Sequence, residues 1–114
     1  MIKTTKPPDS GAIVIVNFPG VTGTKRRPAV IVSSEVYHRE RPDVILGIIT
    51  SKIDFATASS DYLLQDWKAS GLRRPLAFRA FLVTLPRSAI TARLGHLSEL
   101  NWQAVRERVK VALA

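Results

Sequence analysis

The stretch DVILGIITS, residues 43–51, is an almost continuous run of β-branched and aliphatic residues. A run this short is typical of a strand with neighbours on both sides, because both of its faces avoid water. Two similar runs precede it, AIVIVNF at 12–18 and PAVIVSS at 28–34, and LAFRAFLVTL follows at 76–85. The sequence therefore predicts a β-sheet in which residues 43–51 form a central strand.

Shorter elements complete the predicted fold. They are possible strands at 61–64 and 92–97, a helical turn at 66–70 that ends at Gly71, and a helix over 99–113 that Ser98 caps. Five to seven short strands with one long helix favour a curled antiparallel sheet or small barrel, partly covered by that helix. The predicted fold class is therefore mainly β with a C-terminal α-helix.

The segments between the strands are polar. PGVTGTKRR, residues 19–27, is expected to be a loop, and EVYHRERP, residues 35–42, a polar connection with an exposed His38. Residues 1–10 are expected to form a polar N-terminal tail, which leaves 11–114 as a single domain. The aromatic residues fall mostly in apolar runs, so we expect few of them on the surface, with both tryptophans in the core.

Charge and composition limit the possible partners. The chain has 114 residues, a net charge of +8 and no cysteine. Such a basic domain favours a polyanion, which leaves RNA, DNA, an acidic membrane or an acidic partner protein open. The lack of cysteine excludes disulfides and fits a cytoplasmic protein. No apolar run is long enough for a transmembrane helix, which needs about 18 residues.

The sequence lacks the residues that a nucleotide-phosphate loop or a metal site requires. The sequence contains neither GxGxxG nor GxxxxGK[ST], so a nucleotide-phosphate loop is not expected. His38 and His96 are isolated, and the nine acidic residues are scattered rather than gathered at strand ends. The sequence therefore predicts neither a metal site nor a cofactor.

RNA can be cleaved without a metal, because its own 2′-hydroxyl is the nucleophile. A guanidinium can stabilise the charge on the phosphoryl oxygens, and a fixed hydroxyl can hydrogen-bond the reacting group. Arg27 precedes the strand at 28–34, and Thr50 ends the strand at 43–51. If these two strands pair antiparallel, Arg27 and Thr50 meet at one edge of the sheet.

Taken together, the ordered stretches resemble the PemK/MazF family of type II toxin–antitoxin ribonuclease toxins. The matching stretches are GAIVIVNFP (11–19), KRRPAVIVSS (25–34), DVILGIITS (43–51), DWKASGL (66–72) and LGHLSELNWQAVRERV (94–109). The resemblance implies a small SH3-like barrel that forms a homodimer. It also implies a metal-independent endoribonuclease that cuts single-stranded RNA, and a cognate acidic antitoxin that blocks it.

The resemblance also implies roles for individual residues. The catalytic arginine and threonine of the family fall on Arg27 and Thr50. We place RNA contacts at Lys25, Arg26, Ser51, Lys52 and Arg79. The chain departs from the family pattern at Phe81, where some members have a carboxylate. The alternative function is a non-catalytic toxin or nucleic-acid-binding module on the same fold, such as a gyrase poison.

Overall fold

The described chain is rich in β-structure. A computed structural model describes residues 8–20 and 23–114. In chain order the elements are β1 (Ala12–Gly20), β2 (Gly23–Ile31), α1 (Glu35–Glu40), β3 (Asp43–Thr50), a 3₁₀ helix (Ile53–Phe55), β4 (Tyr62–Leu63), β5 (Ala77–Pro86), a second 3₁₀ helix (Arg87–Ala89), β6 (Ile90–His96) and α2 (Glu99–Ala112). Most of the predicted tail, residues 1–10, lies outside the described residues, so the proposed domain division stays a prediction.

The strands form one antiparallel sheet in the order β4-β5-β3-β2-β1-β6. The central place of β3 confirms the prediction made from its apolar sequence. The sheet curls into a half-barrel, and α2 follows it at the C-terminus. The predicted mainly β fold class is therefore confirmed.

Both faces of the sheet are buried at β1, β3 and the C-terminal half of β2, which explains the continuous apolar runs there. Alternate residues of each strand enter different clusters: Val14 and Val16 belong to a first core cluster with Ala29 and Ile48. Their neighbours join a second cluster, which includes Phe78 and extends to α2. We call the two sides of the sheet the first and second core faces. Successive strand residues point to opposite faces, so cluster membership shows where each strand residue points.

A close approach inside the sheet requires glycine at position 47. A Cβ atom there would lie 2.3 Å from Cε1 of the Phe78 ring, which covers this part of β3. The register between β3 and β5 shifts at the same place, between Gly47 and Ile49. A bulge of this kind bends the strand that carries it and increases the local twist.

The predicted loop at 19–27 is wrong at 19–20 and 23–27, which are strand residues, while its residues 21–22 lie outside the described part of the chain. Strand β2 begins at Gly23, so Lys25, Arg26 and Arg27 are strand residues that pair with Phe18, Asn17 and Val16 of β1. The Gly, Thr and Lys content suggested a loop, but pairing with β1 overrides weak local preference. Pro28 is inside β2 rather than at its start, just before pairing with β3 begins at Ala29.

The predicted polar connection at 35–42 is also wrong, because it contains helix α1. Ser34 is its N-cap, and the Ser34 hydroxyl accepts a 3.1 Å hydrogen bond from the backbone N–H of Tyr37. The Tyr37 hydroxyl donates to Asp43 Oδ1 at 2.7 Å, which ties the helix to the start of β3. Serine followed by an acidic residue is a helix-start signal, and it was present in the sequence.

The C-terminal half follows the sequence prediction closely. Ser98 caps α2 by accepting a hydrogen bond from the backbone N–H of Asn101 at 3.2 Å. The segment 66–70 forms hydrogen-bonded turns rather than a helix, and it ends at Gly71, whose φ of 86° is left-handed. None of the helices in the described ranges has the length and apolar character needed to span a membrane.

Candidate active site at the open end of the sheet

The pairing of β2 with β3 directs Arg27 and Thr50 toward the same end of the sheet. The two strands are antiparallel, and their last pair toward this end joins Ala29 to Ile48. Extending the register by two residues sets Arg27 opposite Thr50. Ala29 and Ile48 both belong to the first core cluster, so the strand period places Arg27 and Thr50 on the first core face. The antiparallel pairing expected from the sequence is therefore confirmed.

The three consecutive cations of β2 do not share one face. Arg27 pairs with Val16 and Lys25 pairs with Phe18, and both of these β1 residues pack in the first core cluster. Arg26 pairs with Asn17 and therefore points to the second core face. All three side chains are exposed. The structure thus brings Lys25 and Arg27 to the face that carries Thr50 and puts Arg26 on the opposite one.

The Thr50 hydroxyl is held in a defined position. Its oxygen accepts a hydrogen bond from the backbone N–H of Lys52 at 3.1 Å, and the residue is half-buried. A hydroxyl that accepts one bond still has its own hydrogen to donate. Ser51 and Lys52 follow at once and are exposed. The end of β3 therefore offers one fixed hydroxyl with a second hydroxyl and an ammonium beside it.

Arg79 is the basic residue of β5 that reaches the same face. Thr50 pairs with Ala77, and Arg79 follows Ala77 by two residues, so the three share a face. The Arg79 side chain is 51% exposed, and its Nε lies 3.8 Å from Oδ1 of Asp61, whose side chain is only 5% exposed. The other carboxylate oxygen of Asp61 accepts the backbone N–H of Ala58 at 3.0 Å. Asp61 thus positions Arg79, and no local pattern in the sequence pointed to this partner.

Two aromatic rings of the described residues are exposed, which agrees with the expectation of few surface aromatics. Phe81 of β5 is 59% exposed and packs edge-on against Phe18, with ring centroids 6.1 Å apart. Phe55, shortly after Lys52, is 72% exposed. The strand period of β5 puts Phe81 on the face of Arg79. We call the surface formed by Lys25, Arg27, Thr50, Arg79 and Phe81 the open-end face.

The two tryptophans are only partly in the core. Trp67 and Trp102 are half-buried and pack against the second core cluster. Each lies near a cation, with Lys68 Nζ 5.4 Å from the Trp67 ring and Arg106 Cζ 6.0 Å from the Trp102 ring. Their rings therefore combine core packing with an accessible side, as tryptophan often does.

His38 is buried, which corrects the expectation of an exposed side chain. Its Nε2 lies 2.6 Å from the Ser33 hydroxyl, which also accepts the backbone N–H of Ile45 at 3.1 Å. Burial lowers the pKa of His38, and the nearby Arg87 charge lowers it further. A neutral imidazole satisfied by a serine beside the core is a structural group. His38 therefore belongs to the folded framework, away from the open-end face.

His96 is exposed and also has a structural environment. Its Nδ1 lies 2.8 Å from the Leu97 carbonyl oxygen, and its Nε2 lies 3.0 Å from the Ser10 carbonyl oxygen. These contacts join the end of β6 to the segment before β1. Across residues 8–20 and 23–114, no three His, Asp or Glu side chains gather closely enough to hold a metal ion.

The comparisons with known proteins agree with this architecture. A family model described as PemK-like, MazF-like toxin of type II toxin–antitoxin system matches residues 9–113. No curated protein sequence matches the chain significantly. Many solved structures are similar in fold.

One similar structure is an endoribonuclease in complex with its cognate antitoxin from mycobacterial species. It is 18% identical with a TM-score of 0.77, over 92% of this chain and 93% of that one. The Mycobacterium tuberculosis toxin MazF-mt6 is 20% identical with a TM-score of 0.71, over 89% of this chain and 94% of its own. A MazE–MazF structure from Deinococcus radiodurans is 20% identical with a TM-score of 0.71, over 96% and 98%.

At these identities the structural matches establish the fold, and the family model establishes the family. It covers nearly the whole chain, including the six strands of the described residues and the whole of α2. The chain therefore belongs to the PemK-like, MazF-like toxin family of type II toxin–antitoxin systems.

Proposed function

We propose that this toxin is a metal-independent endoribonuclease that cuts single-stranded RNA at short sequence motifs and so inhibits translation. The observation that supports the proposal is the register of β2 and β3, which would set Arg27 opposite Thr50 if it continued two residues beyond the Ala29–Ile48 pair. A guanidinium and a fixed hydroxyl at one end of a sheet match the needs of phosphoryl transfer to an internal 2′-hydroxyl.

The chemistry needs three actions around one phosphate. The 2′-oxygen attacks phosphorus and loses its proton, the bond from phosphorus to the 5′-oxygen breaks, and that oxygen gains a proton. The products are a 2′,3′-cyclic phosphate, or the 3′-phosphate formed from it by water, and a 5′-hydroxyl. Charge grows on the non-bridging oxygens during the attack, so stabilising it is the main task of the protein.

We assign the charge-stabilising role to Arg27, because its planar fork of donors fits two phosphoryl oxygens at once. Thr50 donates its hydroxyl hydrogen to the phosphate or the attacking oxygen, while the Lys52 N–H keeps the hydroxyl in place. Lys25 and Arg79 flank them on the open-end face and attract the neighbouring phosphates. Arg26 points to the second core face, so it contacts the RNA only if the RNA chain passes around the edge of the sheet to that face.

The partners follow from charge and family. With a net charge of +8, the chain suits single-stranded RNA and a cognate acidic antitoxin whose segment covers the open-end face. We propose a homodimer acting in the cytoplasm. The antitoxin is expected to be encoded by a short neighbouring gene, and co-expression followed by co-purification tests the pair directly.

The central experiment uses a defined RNA. Purified protein is incubated with it, with and without EDTA, and the new 5′ ends are mapped and tested for phosphorylation by a kinase that requires a 5′-hydroxyl. We expect cleavage at a short motif, unchanged by EDTA, with 5′-hydroxyl ends. Loss of cleavage in EDTA with recovery in Mg²⁺ would refute the metal-independent mechanism.

A non-catalytic RNA binder is the second candidate, and the exposed rings of Phe55 and Phe81 favour it, since exposed aromatics stack unpaired bases. The two candidates predict different results in the same experiment. A binder retards the RNA in a gel without producing new ends, whereas the enzyme produces them at one motif.

A further inference from the structure

A pocket of about 570 Å³ lies beyond the Thr50 end of the sheet. Its lining includes Ile53, Leu63, Gln65, Asp66, Trp67 and Lys68. It combines apolar walls with an amide, a carboxylate and an ammonium group. The proposed roles of Arg27 and Thr50 do not account for this combination.

The pairing pattern places this pocket close to the proposed cleavage site. Thr50 pairs with Ala77 of β5, and Ala77 pairs with Leu63 of β4. Neighbouring strands are about 4.8 Å apart, so Leu63 lies about 10 Å from Thr50 across the sheet. Ile53 also lines the pocket, and it follows Thr50 by only three residues along the chain. Leu63 shares the first core face with Thr50, whereas Trp67 packs against the second core cluster. RNA with a phosphate at Thr50 therefore reaches the pocket by passing around this end of the sheet.

Trp67 gives the pocket a stacking surface. One side of the residue packs against the second core cluster, and the residue is half-buried, so the ring is held without being covered. The Lys68 ammonium lies 5.4 Å from the ring. A supported indole with a cation beside it is suited to a base and its phosphate, because every base has a π-face and every nucleotide carries a negative charge.

The polar groups of the pocket are held in place by other contacts. The Gln65 side-chain nitrogen donates to the Leu63 carbonyl oxygen at 3.0 Å, and the Gln65 backbone N–H donates to Asn101 Oδ1 at 3.0 Å. Asp66 Oδ2 accepts a hydrogen bond from the Ser98 hydroxyl at 3.3 Å. The amide and carboxylate are therefore positioned before any ligand arrives, which reduces the entropy lost on binding.

We propose that this pocket holds one unpaired base of the RNA, next to the cleaved phosphate, and sets part of the sequence preference. The base stacks on Trp67, and its edge N–H groups donate to the Asp66 carboxylate or to the Gln65 amide oxygen. An acidic antitoxin segment fits less well, because Asp66 would repel its carboxylates. The inference rests on the proposed RNA cleavage and adds the specificity that cleavage at a motif requires.

The test measures RNA binding separately from cleavage. A randomised single-stranded RNA pool is selected on Arg27→Ala protein, and the Kd for the preferred RNA is measured by fluorescence anisotropy. Adding Trp67→Ala is expected to weaken binding about 5- to 100-fold, since stacking on one base contributes about 1–3 kcal/mol. Adding Asp66→Asn is expected to change the preferred base at one position of the selected motif.

Trp102→Ala is the matched control, because Trp102 is also a half-buried tryptophan with a cation over its ring but lines other cavities. Its RNA Kd should stay within about twofold, an effect below that of any stacking contact. If Trp67→Ala fails to fold, as judged by circular dichroism, Asp66→Asn and Lys68→Ala at exposed positions decide the matter.

Four outcomes separate the hypotheses. Unchanged affinity and motif in folded Trp67 and Asp66 variants overturns the pocket, as does weakened antitoxin binding with normal RNA binding. If the wild-type protein cuts no RNA but binds it through Trp67, the ribonuclease proposal fails and the pocket stands. If the protein cuts RNA and neither Trp67 nor Asp66 affects cleavage or binding, the pocket proposal fails and the ribonuclease proposal stands.

Discussion

The two halves of β2 belong to the same strand but serve opposite purposes. From Ala29 to Ile31 the strand pairs with β3, Ala29 and Val30 also pair with β1, and all three residues are buried. From Gly23 to Arg27 it pairs with β1, and the residues are exposed. The difference teaches that one rigid strand can hold charged side chains at fixed positions in water, because its buried half anchors the exposed half.

The buried half should dominate stability. Ile31→Ala is expected to lower the free energy of unfolding by about 2–5 kcal/mol, because Ile31 is fully buried in the first core cluster and pairs with Leu46. Urea denaturation followed by circular dichroism measures the change. A loss below about 1 kcal/mol would show that the half-barrel collapses around the missing atoms.

The exposed half should dominate activity. Arg27→Ala is expected to lower RNA cleavage about 100-fold or more, because it removes the charge stabiliser proposed for the transition state. Its unfolding free energy should change by no more than about 0.5 kcal/mol, as for exposed residues in general. Cleavage at the wild-type rate by folded Arg27→Ala protein would disprove the role of Arg27. Arg26→Ala, one residue away on the opposite face, is the matched control and should lose far less.

Thr50 tests whether the end of β3 is as important as the exposed half of β2. Thr50→Val keeps the shape and removes the hydroxyl, and we expect cleavage to fall about 10- to 100-fold. Thr50→Ser retains the hydroxyl and should recover most of the rate. Equal rates for the valine and serine variants would mean that the hydroxyl takes no part in the reaction.

The smallest expected effect concerns the region just past the buried half, where Ser33 holds His38. Because the pKa of His38 is lowered in the folded protein, the unfolded chain binds more protons as the pH falls below about 6.5. Stability should therefore decline on acidification and be retained above that pH. Comparing urea midpoints at pH 7.5 and 5.5 in wild-type and His38→Gln protein isolates this contribution, and an identical pH dependence in both would contradict it.

Sequence reasoning located the fold where burial sets the pattern. The strands β1 and β3 could be predicted because burial gives them apolar runs, and the start of α2 because serine is a preferred helix cap. It failed at residues 23–27, where the strand is maintained by its pairing with β1 rather than by apolar residues of its own. The β1 partners lie only 3 to 11 residues earlier in the chain, but backbone hydrogen bonds require no particular side chains, so this pairing leaves no apolar pattern.

Part of the candidate site could likewise be predicted from the sequence, and part could not. Arg27 and Thr50 could be inferred from strand order, because an antiparallel register is a geometric consequence of adjacent strands. The Arg79–Asp61 pair and the Trp67 pocket depend on the segments just before and just after β4. Those irregular segments are positioned by tertiary contacts, which neither charge nor periodicity reveals.

Pro28 marks the point where β2 loses β3 as a neighbour, and three cations stand immediately before it. An unpaired strand edge invites intermolecular pairing, and natural proteins discourage such growth with proline and charge. The same short segment therefore protects the sheet from aggregation while presenting its cations to a ligand. A variant that removes all three charges would be expected to self-associate during expression, so a loss of its activity could not be read as a loss of chemistry alone.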